Sequence, residues 1–195
     1  LIKKDKDLKS IFDQYGYPPF WTRPNSFATL VLTILEQQVS LLSAYAAYTR
    51  LKEKLEPITP ESLLALTDED LRSCYFSRQK IVYTRGLARA LISNEINLER
   101  MESLPDETVR ARLIKLKGIG NWTVDIYLIH ALRRTDIFPT GDLALVNAVR
   151  MIKEDKNLTK EAIVQLSLPW KPYRSVATMM FWHYYIKKRN IRLLH

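Results

Sequence analysis

Cysteine is nearly absent from this chain of 195 residues, which contains only Cys74. A single thiol excludes an internal disulfide, a four-cysteine iron–sulfur cluster and a cysteine-built zinc site. Histidine is sparse as well. His130, His183 and His195 are widely scattered and form no ligand pair at helical spacing. Together these shortages describe a reduced, intracellular, metal-poor protein. Glycine numbers five, and strand-like alternating stretches are scarce. No apolar run approaches the roughly 18 residues needed to cross a bilayer, so no membrane partner is expected. Position 1 is Leu rather than Met, which leaves a preceding segment open.

Positive charge and apolar residues are plentiful instead. Thirty Lys and Arg against 21 Asp and Glu give a formal net charge of +9. Such an excess favours an anionic partner, nucleic acid among them, although basic surfaces also occur without one. Hydrophobic residues make up 47% and charged residues 26%, which excludes a disordered tail and fits one or two packed domains.

The chain reads as helices joined by short loops. Gly16 and the Pro18-Pro19 pair stop a helix over Leu8 to Tyr15. Phe27, Leu30, Val31, Ile34 and Leu35 repeat at intervals of three and four, which puts them on one face of a helix between Ser26 and Glu36. Ser40 can cap the next helix, towards Leu55. Thr59-Pro60-Glu61 and Thr67 followed by Asp68-Glu69-Asp70 mark further starts. Ser77 to Ile92, Pro105 to Lys115, Asn121 to Leu132, Asp142 to Ile152, Lys160 to Leu166 and Tyr173 to Lys188 complete an all-α set.

Three segments carry chemistry. Leu116-Lys117-Gly118-Ile119-Gly120-Asn121-Trp122-Thr123 lies between two apolar helical stretches. Glycines either side of one apolar residue make a tight hairpin whose amides can hold a phosphate at a helix start. Alone, the same pattern is an ordinary helix–turn–helix corner. Phe138-Pro139-Thr140-Gly141-Asp142 delivers a carboxylate at a helix start, and blandly Asp142 is an N-cap. Capping and chemistry are compatible in one aspartate. Trp170-Lys171-Pro172-Tyr173-Arg174-Ser175, followed by Met179, Met180, Phe181 and Trp182, is aromatic enough for core packing or for a pocket.

In this order the three segments resemble the helix-hairpin-helix glycosylase superfamily, in the branch that contains the bacterial DNA-3-methyladenine glycosylases II. Ile34-Leu35-Glu36-Gln37-Gln38-Val39-Ser40 is similar to that family's Ile-Leu-Gly-Gln-Gln-Val-Ser stretch. The four motifs span roughly residues 20 to 185. Glu36 stands where Gly is common, and Ile126 stands at a pocket position that is Tyr in some relatives. Nothing in the chain corresponds to the N-terminal sheet domain some members carry. The resemblance implies one catalytic core over 1–195, built of two interleaved helical subdomains with a cleft between them and a hairpin over about 106–132.

The resemblance also implies site residues. Asp142 falls at the catalytic aspartate, Trp122 and Trp182 at the pocket walls, with Trp21, Tyr127 and Tyr173 as further aromatic candidates. Gln38 falls at the side chain inserted into DNA, with Gln37 beside it. The amides of Gly118, Gly120 and Thr123, with Lys117 near them, would meet a phosphate. Main-chain carbonyls of Ile114, Leu116 and Ile119 would hold a monovalent cation, Na+ or K+, and no other cofactor is required. The implied partner is double-stranded DNA with alkylated bases, met by a monomer in the cytoplasm and nucleoid of a bacterium or archaeon or in a eukaryotic nucleus.

The chemistry follows from the substrate. Breaking a C1′–N bond passes through an oxocarbenium-like state that a carboxylate stabilises. An alkylated purine already carries positive charge and leaves as a neutral base, so a single aspartate suffices. The base must leave the stack, and an indole face attracts a cationic base by about 0.5–2 kcal/mol. Relatives with Lys where this chain has Trp122 form a Schiff base and nick the strand, which an indole cannot do. The expectation is a monofunctional glycosylase acting on purines of the 3-methyladenine and 7-methylguanine type. A bifunctional glycosylase/lyase and a non-catalytic DNA-binding module are the alternatives. Trp122 and the missing cluster cysteines argue against the first, and Asp142 with its tryptophans against the second.

Overall fold

The computed structural model describes residues 1–191, so His195 lies outside the described residues. Among these residues the chain is helical without strands: α1 (Lys6–Tyr15), α2 (Phe27–Leu35), α3 (Leu41–Lys54), α4 (Pro60–Ala65), α5 (Asp68–Ser73), α6 (Arg78–Ile92), α7 (Leu98–Met101), α8 (Asp106–Leu113), α9 (Asn121–His130), α10 (Leu143–Ile152), α11 (Lys160–Ser167) and α12 (Arg174–Lys188). No helix among them is long and apolar enough to cross a membrane. They form two compact units. One joins Leu1–Thr22 to residues 128–191, and the other is Arg23–Tyr127.

The helix starts are where short polar side chains can take up the first unpaired amides. Ser26 accepts from Thr29 N, Ser40 from Ser43 N and Ser77 from Lys80 N. Thr59 and Thr67 form capping boxes with Ser62 and Asp70. At α1 the Asp5 carboxylate accepts from Asp7 N and Leu8 N, both at 2.9 Å, and Gly16, at φ +72°, ends the helix. Two elements were not expected from the sequence: the four-residue α7 and a 3-10 turn over Leu168–Trp170. Both are too short to show a period. The helix expected to reach Leu132 stops at His130, because Arg133 turns into the left-handed region (φ +54°) and Arg134 N closes on Leu128 O at 2.9 Å.

Each unit is built on one helix that is buried nearly all round. In the central unit this is α2, buried at Phe27 and from Thr29 to Leu35, which packs on α3 and α6. In the other it is α12, buried at Ser175 and from Ala177 to Tyr184, against α1 and α10. A helix apolar on every side is stable only when covered on every side, which explains why α1, from the N-terminus, is recruited to α12.

The glycine hairpin joins α8 to α9 within the central unit. Leu116 N closes on Leu113 O and Ile119 N on Leu116 O, both at 3.0 Å. Arg110 of α8 donates to Asn121 Oδ1 and to the Asp125 carboxylate of α9. Burial pushes the Asp125 carboxyl up, and the Arg110 guanidinium opposes this. Gly118 sits at φ +89° against the ring of Tyr83. A Cβ there would lie 2.1 Å from Tyr83 Cγ, whereas one at Gly120 would meet nothing within 4 Å. Backbone strain and overlap with a ring stem add. Gly118→Ala should therefore cost about 2–4 kcal/mol, and Gly120→Ala within about 0.5 kcal/mol. Urea unfolding midpoints check this, and equal effects of the two substitutions would contradict the hairpin geometry.

Candidate functional site

The expected site residues divide between the two units. In the central unit the turn after α2 and the hairpin are stitched together by one side chain. Gln37 Nε2 donates to Gly118 O at 2.8 Å and to Thr123 Oγ1 at 2.9 Å. Its neighbour Gln38 is exposed, in the left-handed region at φ +57°. The adjacent glutamines thus differ in kind: Gln37 is internally committed, and Gln38 is presented outward.

Glu36, the departure from glycine noted in the sequence, is accommodated by Arg23. The guanidinium donates to both carboxylate oxygens, at 2.8 and 2.6 Å, and the glutamate side chain is only 7% exposed. A carboxylate this deep needs such a partner. Lys80 donates to Leu35 O, the last carbonyl of α2, at 2.6 Å. This is a cation placed where the helix dipole is negative. Burial lowers its ammonium from the ordinary lysine value. Neither Arg23 nor Lys80 was found by sequence reasoning, because their partners lie 13 and 45 positions away.

Elsewhere in this unit, Trp122 is the second residue of α9 and partly exposed, Lys117 is exposed, and Thr123 is buried. Leu116 is half-buried, Ile119 buried and Ile114 exposed. Tyr127 needs a correction. It has no exposed surface, and its hydroxyl donates to Asn25 Oδ1 at 2.5 Å, so its ring is core rather than an accessible wall.

In the other unit Asp142 caps α10. Its Oδ1 accepts from Leu145 N at 2.7 Å and from Trp182 Nε1 at 2.9 Å. Trp182, on the buried face of α12, is 8% exposed, and its ring lies parallel to that of His130, with centroids 5.4 Å apart at 15°. Tyr173 precedes α12 and is half exposed, while Trp21 is half-buried with its ring tilted against His183. Asp142, Trp182 and Trp21 thus share this unit with Tyr173, while Trp122 and the two glutamines belong to the central one.

The loop that delivers Asp142 is held by the Arg174-Ser175 pair of the third motif. Arg174 Nε donates to Asp136 Oδ1 at 2.7 Å and its NH2 group to Asp136 Oδ2 at 2.9 Å. Ser175 N donates to Thr135 O, and Ile137 N donates to Ser175 Oγ, both at 2.9 Å. The motif's basic and hydroxyl residues therefore anchor residues 135–137, six positions ahead of the carboxylate. Hydrogen bonding from the Arg174 side chain, the largest influence, holds the Asp136 carboxyl below the usual carboxylate range. An acid depressed in this way stabilises the fold above its unfolded value, near pH 4, and loses that contribution as pH falls through the depressed value. Arg174→Met should accordingly lower Tm at pH 7, with the difference shrinking as pH falls below the ordinary carboxylate value near 4. A pH-independent difference in thermal melts would contradict the pairing.

Among the described residues no group of three or more His, Cys, Asp or Glu could hold a metal ion. The arrangement offers a fixed carboxylate, an indole N–H directed at it, and separately a hairpin braced by a glutamine.

Comparison with known proteins gives this geometry a context. Residues 31–172 match the model of the HhH-GPD superfamily base excision DNA repair proteins. DNA-3-methyladenine glycosylase 1 of Schizosaccharomyces pombe is 33% identical over 182 residues, which cover 91% of this chain and 80% of that protein. A putative DNA-3-methyladenine glycosylase of Bacillus subtilis is 30% identical, over 90% of this chain. The chain spans only 64% of the length of that relative and 57% of a second Bacillus subtilis DNA-3-methyladenine glycosylase. Among solved structures, the Schizosaccharomyces pombe 3-methyladenine DNA glycosylase (Mag1) in complex with abasic DNA superposes with a TM-score of 0.88 at 29% identity, covering 100% of this chain and 97% of that one. The matched family segment contains the glutamine turn, the glycine hairpin and Asp142, and on these grounds the chain belongs to the HhH-GPD superfamily of base excision DNA repair proteins.

Proposed function

We propose that this protein is a monofunctional DNA glycosylase that removes alkylated purines, of the 3-methyladenine and 7-methylguanine type, by hydrolysing the N-glycosidic bond. The observation that carries the reading is the Asp142 carboxylate, whose Oδ1 is fixed by a backbone amide and an indole N–H. Family membership supports it, as do the names of the relatives.

The chemistry starts from a charged leaving group. N-alkylation gives the purine a positive charge, so departure returns a neutral base and needs no proton donor. What builds up is positive charge on the sugar. A carboxylate whose orientation is set before the reaction stabilises that charge without reorganising. The same group can orient the attacking water. Trp122 replaces the lysine that would form a Schiff base, so the product on this reading is an abasic site in an unbroken strand.

DNA engagement is assigned by the same reasoning. Gln38, outward and in a left-handed turn, is the side chain proposed to fill the gap left by the flipped nucleotide, braced by Gln37. Hairpin amides at Gly118, Gly120 and Thr123, with Lys117, are proposed to bind a phosphate. A monovalent cation on the Ile114, Leu116 and Ile119 carbonyls would strengthen that contact. Such an ion would be structural, with no part in bond breaking.

Asp142→Asn tests the reading. Asparagine keeps the size, the N-cap acceptor and the acceptor for Trp182 but removes the charge. Single-turnover excision from methylated duplex should fall by roughly 10²–10³-fold, since one preorganised electrostatic group typically supplies about 3–4 kcal/mol. Folding and binding to lesion DNA should survive. Excision near the parent rate by the folded variant would reduce Asp142 to a cap.

A further inference from the structure

We propose that His130 is a positioning residue for Asp142, acting through Trp182; the inference rests on the reading of Asp142 just given. His130 is the last residue of α9 and is 8% exposed, a buried polar group. Its Nδ1 lies 2.8 Å from the carbonyl of Trp21. A carbonyl only accepts, so Nδ1 carries the proton, and this bond fixes the plane of the imidazole. Parallel to that plane, with centroids 5.4 Å apart at 15°, lies the indole of Trp182, whose Nε1–H is the donor to Asp142 Oδ1 at 2.9 Å.

The contacts thus run from a backbone carbonyl of the N-terminal segment, through an imidazole and an indole, to the carboxylate. Trp182 has only two side-chain torsions, and its N–H points along the ring plane. Whatever fixes the plane fixes where the N–H is directed. From α10 the carboxylate receives one further amide, Leu145 N, on the same oxygen. With the indole added, Oδ1 is pinned from two directions, which sets the direction of Oδ2. A positioned group depends on the packing of the residues that support it. A second histidine repeats the anchoring next to this site: His183 Nε2 lies 3.1 Å from Tyr15 O, and its ring is tilted 6.4 Å from that of Trp21. The carbonyl that orients His130 is therefore itself on a segment tied down at both ends.

The stack, rather than the carbonyl bond alone, is the operative contact. His130→Phe keeps a planar ring beside Trp182, and His130→Leu keeps the volume without the plane. The first measurement is the Trp182 indole Nε1–H resonance, identified among the four tryptophans by its absence in Trp182→Phe. It should stay in place and slowly exchanging in His130→Phe, and should shift and exchange faster in His130→Leu. The second is excision from methylated duplex. His130→Leu should lose about ten- to a hundredfold in kcat with KM within about twofold, and His130→Phe should recover most of the loss. A resonance that ignores His130→Leu, or a Phe variant as impaired as the Leu variant in both measurements, overturns the proposal. Should His130→Leu not fold, His130→Gln, which also lacks the plane, replaces it in the same comparison. If the parent protein releases no base at all, the glycosylase reading fails, while the resonance still decides whether His130 orients Trp182.

Discussion

Two hydrogen bonds on one carboxylate oxygen organise the unit in which Asp142 lies. Leu145 N comes from the first turn of α10, and Trp182 Nε1 comes from the middle of α12. For both to meet Oδ1, α10 and α12 must pack face to face, and the loop before α10 must hold a fixed height. Small-residue and aromatic packing on the buried side of α12 provides the first condition. The Arg174 and Ser175 bonds to residues 135–137 provide the second. A carboxylate used electrostatically must be held before the charge appears, because turning it during the reaction would consume the stabilisation it supplies.

The central unit applies the same economy to a different task. Gln37 ties the turn after α2 to the hairpin through two acceptors, Gly118 O and Thr123 Oγ1. The hairpin in turn leans on Tyr83, where any side chain at position 118 would collide. Glu36 introduces a nearly buried negative charge beside a turn proposed to meet a polyanion, and Arg23 neutralises it in a bidentate pair. Position 36 thus departs from the family's glycine with a compensating partner from the segment ahead of α2. For Ile126, the other departure, the structure gives a buried side chain, 4% exposed.

Local chemistry was legible in the sequence. Ser40, Thr59 and Thr67 cap the helices whose starts they were expected to mark, because capping involves residues three apart, and Ser26 and Ser77, read only as the first residues of helical spans, cap theirs as well. The apolar spacing of α2 was legible for the same reason, and Asp142 read as an N-cap is one. What could not be read depends on distance along the chain. Trp182 meets Asp142 across 40 positions and Gln37 meets Thr123 across 86, and no local period records such pairings. The aromatic run at 179–182 read equally well as core or pocket. In the structure Trp182 is nearly buried and also faces the carboxylate. His130, set aside as a scattered histidine, carries its information in a ring stack and a carbonyl contact that composition cannot show.

Bond cleavage by this site requires that a leaving group neutralised on departure and a single preset carboxylate be sufficient. Incubating the parent protein with duplex DNA carrying radiolabelled methyl groups, then separating the released material by chromatography, asks this directly. Free methylated purines should appear in solution, and the strands should remain unbroken until heated in alkali. Methylated bases that stay in the polymer, or strands nicked without alkali, would contradict monofunctional excision by Asp142.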